Sequence, residues 1–89
     1  MIDIEMVWRR LKQHEGEDFR TVRGLAFKYS FRDEQFIPSR TKYQIGKAEF
    51  IKAFDLYPFK KVSDMGSIVR GGSYVFAVLT DPRIRSTGW

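Results

Sequence analysis

Between Leu25 and Arg32 the chain alternates at every step, with Leu25, Phe27, Tyr29 and Phe31 set against Ala26, Lys28, Ser30 and Arg32. A period of two is the spacing of a strand with one buried face, because successive side chains leave a pleated backbone on opposite sides. A strand that carries aromatic rings on one face cannot stand alone. It needs neighbours to pair its backbone and a second layer to cover the rings. The neighbours are legible on both sides. Asp18 to Val22 is rich in β-formers, and Arg23-Gly24 suits a tight turn because glycine accepts positive φ. After the polar Arg32-Asp33-Glu34 turn come Phe36 and Ile37, and Pro38 marks an edge or a break. From Arg40 onward Thr41, Tyr43 and Ile45 alternate with Arg40, Lys42 and Gln44. The expectation is a three-stranded antiparallel meander.

Two helical segments flank this meander. Ile4, Val7, Trp8 and Leu11 recur at i, i+3, i+4 and i+7, so residues 3 to 15 form an amphipathic N-terminal helix, with Asp3 as its cap and Gly16 ending its last turn. After Gly46, a second helix over 47 to 57 gathers Phe50, Ala53, Phe54 and Tyr57 on one face and stops before Pro58. That aromatic stripe packs on the sheet, which places Phe27 and Phe54 in one core. Lys60 to Gly72 carries the weakest pattern, with room for a short helix from Ser63 to Val69 and a flexible joint at Arg70-Gly71-Gly72. Tyr74 to Leu79 is apolar throughout, so periodicity does not separate a strand from a helix. Its length and β-propensity favour a strand, while Ser73 as an N-cap argues for a helix. The fold class is therefore α+β: an N-terminal helix, a three-stranded antiparallel meander, a second helix packed on the sheet, and a C-terminal apolar strand or helix. With 89 residues and no linker-like stretch, residues 1 to 89 are expected to form a single small globular domain.

Composition removes several classes of chemistry. The absence of cysteine excludes disulfides, thiolate metal sites and thiol catalysis, and a single histidine excludes a His-rich metal centre. No metal and no cofactor are expected. The apolar run from Tyr74 to Leu79 is too short to span a bilayer, and the N-terminus lacks a basic segment followed by an apolar signal core. The sequence thus reads as soluble and cytoplasmic, with no membrane partner. The carboxylates Glu15, Glu17, Asp18, Asp33 and Glu34 fall at helix ends and turns, where solvation keeps them ordinary, and His14 has no nucleophile at a useful spacing. Gly46-Lys47 lacks the remainder of a phosphate-loop motif. No catalytic residue is assigned, and no enzymatic activity is expected.

The net charge of +5 points instead to polyanionic partners. If Phe27 and Tyr29 face inward, opposite parity sends Lys28, Arg32, Arg40 and Lys42 to the outer face, joined by Arg20 from the preceding strand. These cations share a surface with no acidic residue expected among them, an arrangement suited to nucleic-acid phosphates. Arg70, Gly71, Gly72 and Ser73 form a second candidate, a loop for an anion or a partner, since paired glycines expose backbone N–H groups beside a guanidinium. Aromatics in excess of the core, among Phe19, Phe36, Tyr43, Phe59 and Trp89, supply an alternative. On that reading the chain is a protein-interaction module that regulates a larger partner or self-associates through surface rings such as Phe36, Phe59 and Trp89.

The succession Phe19-Arg20-Thr21, Gly24, Phe27-Lys28-Tyr29, Pro38-Ser39-Arg40-Thr41, Phe50 with Ala53, and Ser73-Tyr74-Val75 through Asp81-Pro82-Arg83-Ile84 resembles an order of motifs found in short stand-alone bacterial proteins of unassigned function. The resemblance spans most of the chain and implies a bacterial origin and a self-sufficient domain. It brings no catalytic residue with it.

Overall fold

A computed structural model describes residues 3–42, 44–58, 61–65 and 69–85. Helix α1, Ile4–Gln13, starts as its sequence dictates: Asp3 Oδ1 accepts from the Glu5 N–H at 2.9 Å, and Val7, Trp8 and Leu11 are buried. Gly16, at φ +85°, turns the chain back so that its N–H donates to the Tyr29 carbonyl at 3.0 Å. Strand β1, Phe19–Arg20, pairs antiparallel with β2, Ala26–Phe27. Strand β3, Tyr29–Arg32, pairs antiparallel with β4, Gln35–Pro38. Helix α2, Lys47–Phe54, a 3-10 turn at Val62–Asp64, and helix α3, Gly72–Thr80, complete the described elements.

The α+β class holds, but the sheet is two two-stranded ladders and not a meander. The period-two run is interrupted at Lys28, whose N–H donates to Ser39 Oγ at 3.0 Å and whose carbonyl accepts from the Ser39 N–H at 2.7 Å. The chain after β4 therefore lies along the edge that a third strand would need. Arg40 completes the obstruction by donating its Nε–H to the Ala26 carbonyl. Strand pairing moves forward to Phe36 and Ile37 because Asp33 and Glu34 both adopt positive φ, +52° and +62°, the requirement of a two-residue hairpin loop whose twist matches its strands. Pro38 then occupies the terminal pair of the ladder, opposite Tyr29. Of the third strand expected from Arg40 to Ile45, one bridge remains among the described residues, in which Phe36 and Ile45 exchange two hydrogen bonds of 2.8 Å. Tyr43 lies outside the described residues.

Tyr74 to Leu79 belongs to a helix. Val75, Val78 and Leu79 are fully buried, and every position from Val75 to Leu79 falls in the core, so a helix buried on most sides shows no polar face to give it a period. The second helix ends earlier than its sequence suggests, with Asp55 to Tyr57 continuing only as turns, and Phe54 is half-buried while Phe50 and Ala53 have no exposed surface. Strand parity holds for Phe27 and Tyr29, both buried, but Leu25 is 49% exposed because it already belongs to the β1–β2 turn. The short helix expected at Ser63 to Val69 appears as the 3-10 turn, with 66–68 outside the described residues.

The core is centred on aromatic rings. Trp8 meets Phe31 and Phe50 edge-on at centroid distances of 5.2 and 5.0 Å. Phe36 lies 4.6 Å from Tyr29 and 5.3 Å from Phe50, so α2 does pack on the sheet, at β4. Phe36, expected as a surface aromatic, is fully buried, and Phe19 is 1% exposed; Phe59 and Trp89 lie outside the described residues. Tyr29 satisfies its hydroxyl by donating to the Leu11 carbonyl, and burial pushes its phenol pKa well above the usual range.

Candidate nucleic-acid interface and a neighbouring groove

Three of the five cations assigned to the outer face come together on the β1–β2 ladder. In this ladder the Thr21 N–H donates to the Leu25 carbonyl, so the carbonyls of opposite parity, Gly24 and Ala26, point away from β1. Each receives a guanidinium. Arg20 donates an Nη1–H to Gly24 O at 2.9 Å, and Arg40 reaches Ala26 O through Nε. Gly24, at the end of the turn, and Ala26, at the start of β2, are two residues apart, so the two guanidinium groups are held close in the chain on one side of this hairpin. Among the described residues neither has a carboxylate partner. An arginine that spends one donor on a backbone carbonyl keeps its full charge and most of its fork of N–H groups for an external anion.

Lys28 differs. Its Nζ lies 3.0 Å from Asp18 Oδ1, so the face is not free of acids as its parity suggests. Asp18 comes from the turn before β1, and no spacing rule applied to the strand alone finds it. Arg32 is exposed at the far end of β3 opposite Gln35, roughly 13 Å further along the chain from Lys28. Lys42 is exposed beyond Thr41. The five residues thus form a cluster of Arg20, Lys28 and Arg40 with two outlying charges.

Arg83 borders this cluster and was not among the residues the sequence singled out for binding. Its guanidinium stacks on Phe19 with 3.7 Å between Cζ and the ring centroid, grips both oxygens of Asp81 at 2.9 Å, and donates to Glu17 Oε1 at 3.1 Å and to the Asp18 carbonyl at 2.8 Å. The partnership acts on both sides. Hydrogen bonds from Arg83 hold the Asp81 carboxyl below its ordinary range, and Glu17 is lowered first by its hydrogen bond with His14 and then by Arg83. Asp81 in turn raises the Arg83 pKa, with Glu17 adding to the effect. The charge of Arg83 is therefore consumed internally, in contrast to Arg20. A shallow cavity of about 410 Å³ between Asp18, Arg20, Ala26 and Asp81 separates the two.

The expected Arg70 to Ser73 loop is in part helix, since Gly72 and Ser73 open α3, and it meets an anion supplied by the chain itself: the Arg70 N–H donates to Glu49 Oε1 at 2.9 Å, and this bond is the main cause of the lowered Glu49 pKa. Gly72 is buried against the Met65 backbone, where an added Cβ would stand 3.1 Å from the Met65 carbonyl oxygen. Ser73 is exposed and, with Tyr74, forms one wall of a groove of about 450 Å³ whose other wall is the β1–β2 turn.

Among the described residues no group of three or more histidine, aspartate or glutamate side chains is placed to hold a metal ion, and no helix is long and apolar enough to cross a membrane. His14 Nδ1 lies 2.9 Å from Glu17 Oε2 at the end of α1. Comparison of the chain with protein-family models, with curated proteins and with solved structures finds no match.

Proposed function

We propose that this chain is a small nucleic-acid-binding accessory domain, without catalysis of its own, that contacts phosphates through Arg20 and Arg40, with Lys28, Arg32 and Lys42 extending the contact. The observation that supports this reading is the mode in which Arg20 and Arg40 are held. Both are oriented by backbone carbonyls of one hairpin, at Gly24 and Ala26, and neither is neutralised by a carboxylate among the described residues. Orientation by the backbone reduces the entropy lost when a phosphate is gripped. The chain's charge of +5 supplies the attraction over longer distance.

The experiment is a salt titration of nucleic-acid binding with duplex DNA, single-stranded DNA and RNA as probes. Replacing Arg40 and Lys42 together by Gln should lower the slope of log K against log salt by roughly 1.4 to 1.8, since each lost phosphate contact removes about 0.7 to 0.9. Arg9→Gln with Lys52→Gln, exposed on α1 and α2, provides the charge-matched control. If both pairs weaken binding equally, only net charge matters and the hairpin site is lost. If the unmodified chain binds none of the probes at low salt, the proposal fails.

A further inference from the structure

The β1–β2 turn carries apolar residues where solvent-facing positions need none. Val22 is 63% exposed and Leu25 is 49% exposed, and both face the groove in front of α3. The turn that holds them is closed by hydrogen bonds. The Gly24 N–H donates to Thr21 O at 2.8 Å, the Thr21 N–H donates to Leu25 O at 3.0 Å, and the Leu25 N–H donates to Thr21 Oγ1 at 3.2 Å. Opposite stand Val62 and Tyr74, and the Tyr74 ring is fixed by an edge-on contact of 5.0 Å with Phe27 in the core. An apolar cleft between two pre-formed walls loses little entropy when it is filled.

The charge that the described residues bring to the groove is of one sign. Among the described residues Arg23 is the charged residue on its wall, and no acidic side chain of theirs lines it. We propose that this groove docks a peptide segment of a partner protein that presents an aliphatic side chain next to a carboxylate, the side chain entering between Leu25 and Tyr74 and the carboxylate meeting Arg23. A nucleic acid is a poor occupant, because the Tyr74 ring on the wall is half-buried and engaged edge-on with Phe27, and bases bind through stacking on open aromatic faces. A second copy in a two-fold pairing would bring Arg23 against Arg23 between chains that each carry +5, which opposes association. Neither Arg20 nor Arg40 lines the groove, and Arg23→Gln tests it while leaving both of them in place, so failure of one reading is distinguishable from failure of the other.

The test uses the full, isotope-labelled chain and NMR titration with short capped peptides at millimolar concentration. The probes carry a central Leu-Asp pair, or Leu-Asn, Leu-Lys or Ala-Asp in its place. The Leu-Asp peptide should shift the amide signals of Thr21 to Leu25, Val62, Ser63 and Gly72 to Tyr74 in a saturable way, and bind about tenfold more tightly than the Leu-Lys or Ala-Asp peptides. Val22→Ser with Leu25→Ser should weaken it by about tenfold while the thermal midpoint stays near that of the parent chain. Arg23→Gln, which leaves the apolar walls intact, should abolish the preference for Leu-Asp over Leu-Asn. Absence of shifts at the groove overturns the proposal, as does equal binding of Leu-Asp and Leu-Lys. Groove signals that move with protein concentration alone would assign the site to a second copy, and displacement of the peptide by duplex DNA would assign it to nucleic acid; either result also overturns it.

Discussion

The chain contains two hairpins of opposite character. In the β3–β4 hairpin the loop is only Asp33 and Glu34, the strands are four residues each, and Phe36 at its centre has no exposed surface. Its loop is tied down as well, since Glu34 accepts from Trp8 Nε1 at 3.1 Å and pairs with Lys12. The β1–β2 hairpin has strands of two residues, a longer turn, and exposes Val22 and Leu25 at its tip. Its outer edge is closed by guanidinium groups in place of a strand. Covering an edge with charged side chains prevents pairing with another chain and leaves those charges on display. Both hairpins bury rings, Phe19 and Phe27 in β1–β2 and Tyr29 and Phe36 in β3–β4, but of the two it is the β1–β2 tip that leaves large apolar side chains exposed.

The largest test of this contrast is Phe36→Ala. Its ring touches Tyr29, Phe31 and Phe50, so truncation removes burial and opens a cavity where three aromatic contacts converge, costing about 3 to 5 kcal/mol. In a domain this small that is enough to unfold much of the population. A urea denaturation midpoint near that of the parent chain would show that β3–β4 is not the centre of the core.

The two hairpins also differ in how well the sequence announces them. Ile4, Val7, Trp8 and Leu11 declare α1, and the alternation at Phe27 and Tyr29 declares buried strand positions, because each element has one wet face and one dry face. The β3–β4 turn is legible from the polar Arg32-Asp33-Glu34, but its tight two-residue form is not, because neither Asp33 nor Glu34 is a glycine and the usual signal of positive φ is missing. Helix α3 is hidden for the opposite reason, being too fully buried to show a period. At the candidate site, the outward parity of Arg20, Lys28 and Arg40 is readable from the alternation. Their partners are not: a backbone carbonyl for each arginine and Asp18 for the lysine depend on which segments run alongside. The exposed tip of β1–β2 is equally illegible, since the groove exists only once the residues after Arg70 form a helix.

A change of intermediate size addresses the turn itself. Gly24 sits at φ +85° with open space where a Cβ would point, so Gly24→Ala meets no clash and pays only the left-handed backbone penalty, about 1 to 2 kcal/mol. The loss should appear in thermal unfolding while the amide shifts of Phe36 and Phe50 stay in place. Shifts that spread to those residues would mean the hairpins are not separable.

Acid should distinguish the regions more gently. Glu17 and Asp81 have carboxyls lowered from ordinary values of 4.5 and 3.8, and Arg83 contributes to both, whereas Lys12 serves Glu34 alone. A carboxyl whose folded pKa is depressed binds its proton more readily in the unfolded chain. Its stabilisation is therefore complete above those ordinary values and is lost as the pH falls through the lower folded ones. Arg83→Gln should flatten the decline of the urea midpoint between neutral pH and about pH 3, and Lys12→Gln should flatten it less. Equal flattening would mean that the Arg83 cluster contributes no more than one exposed ion pair.

The smallest expected effect on stability is at the tip, and its smallness is the informative part. Val22 and Leu25 are already hydrated over half or nearly half of their surface, so Val22→Thr with Leu25→Thr forfeits little burial and leaves a strand-compatible, β-branched side chain at both positions. The Thr21 and Gly24 hydrogen bonds that shape the turn run through the backbone and the Thr21 hydroxyl, which neither substitution touches. Stability should therefore move by no more than about 0.5 kcal/mol, a small fraction of the cost of Phe36→Ala. A loss above 2 kcal/mol in urea denaturation would place these side chains inside the core, and the β1–β2 tip would become a second structural hairpin with no surface left for a partner.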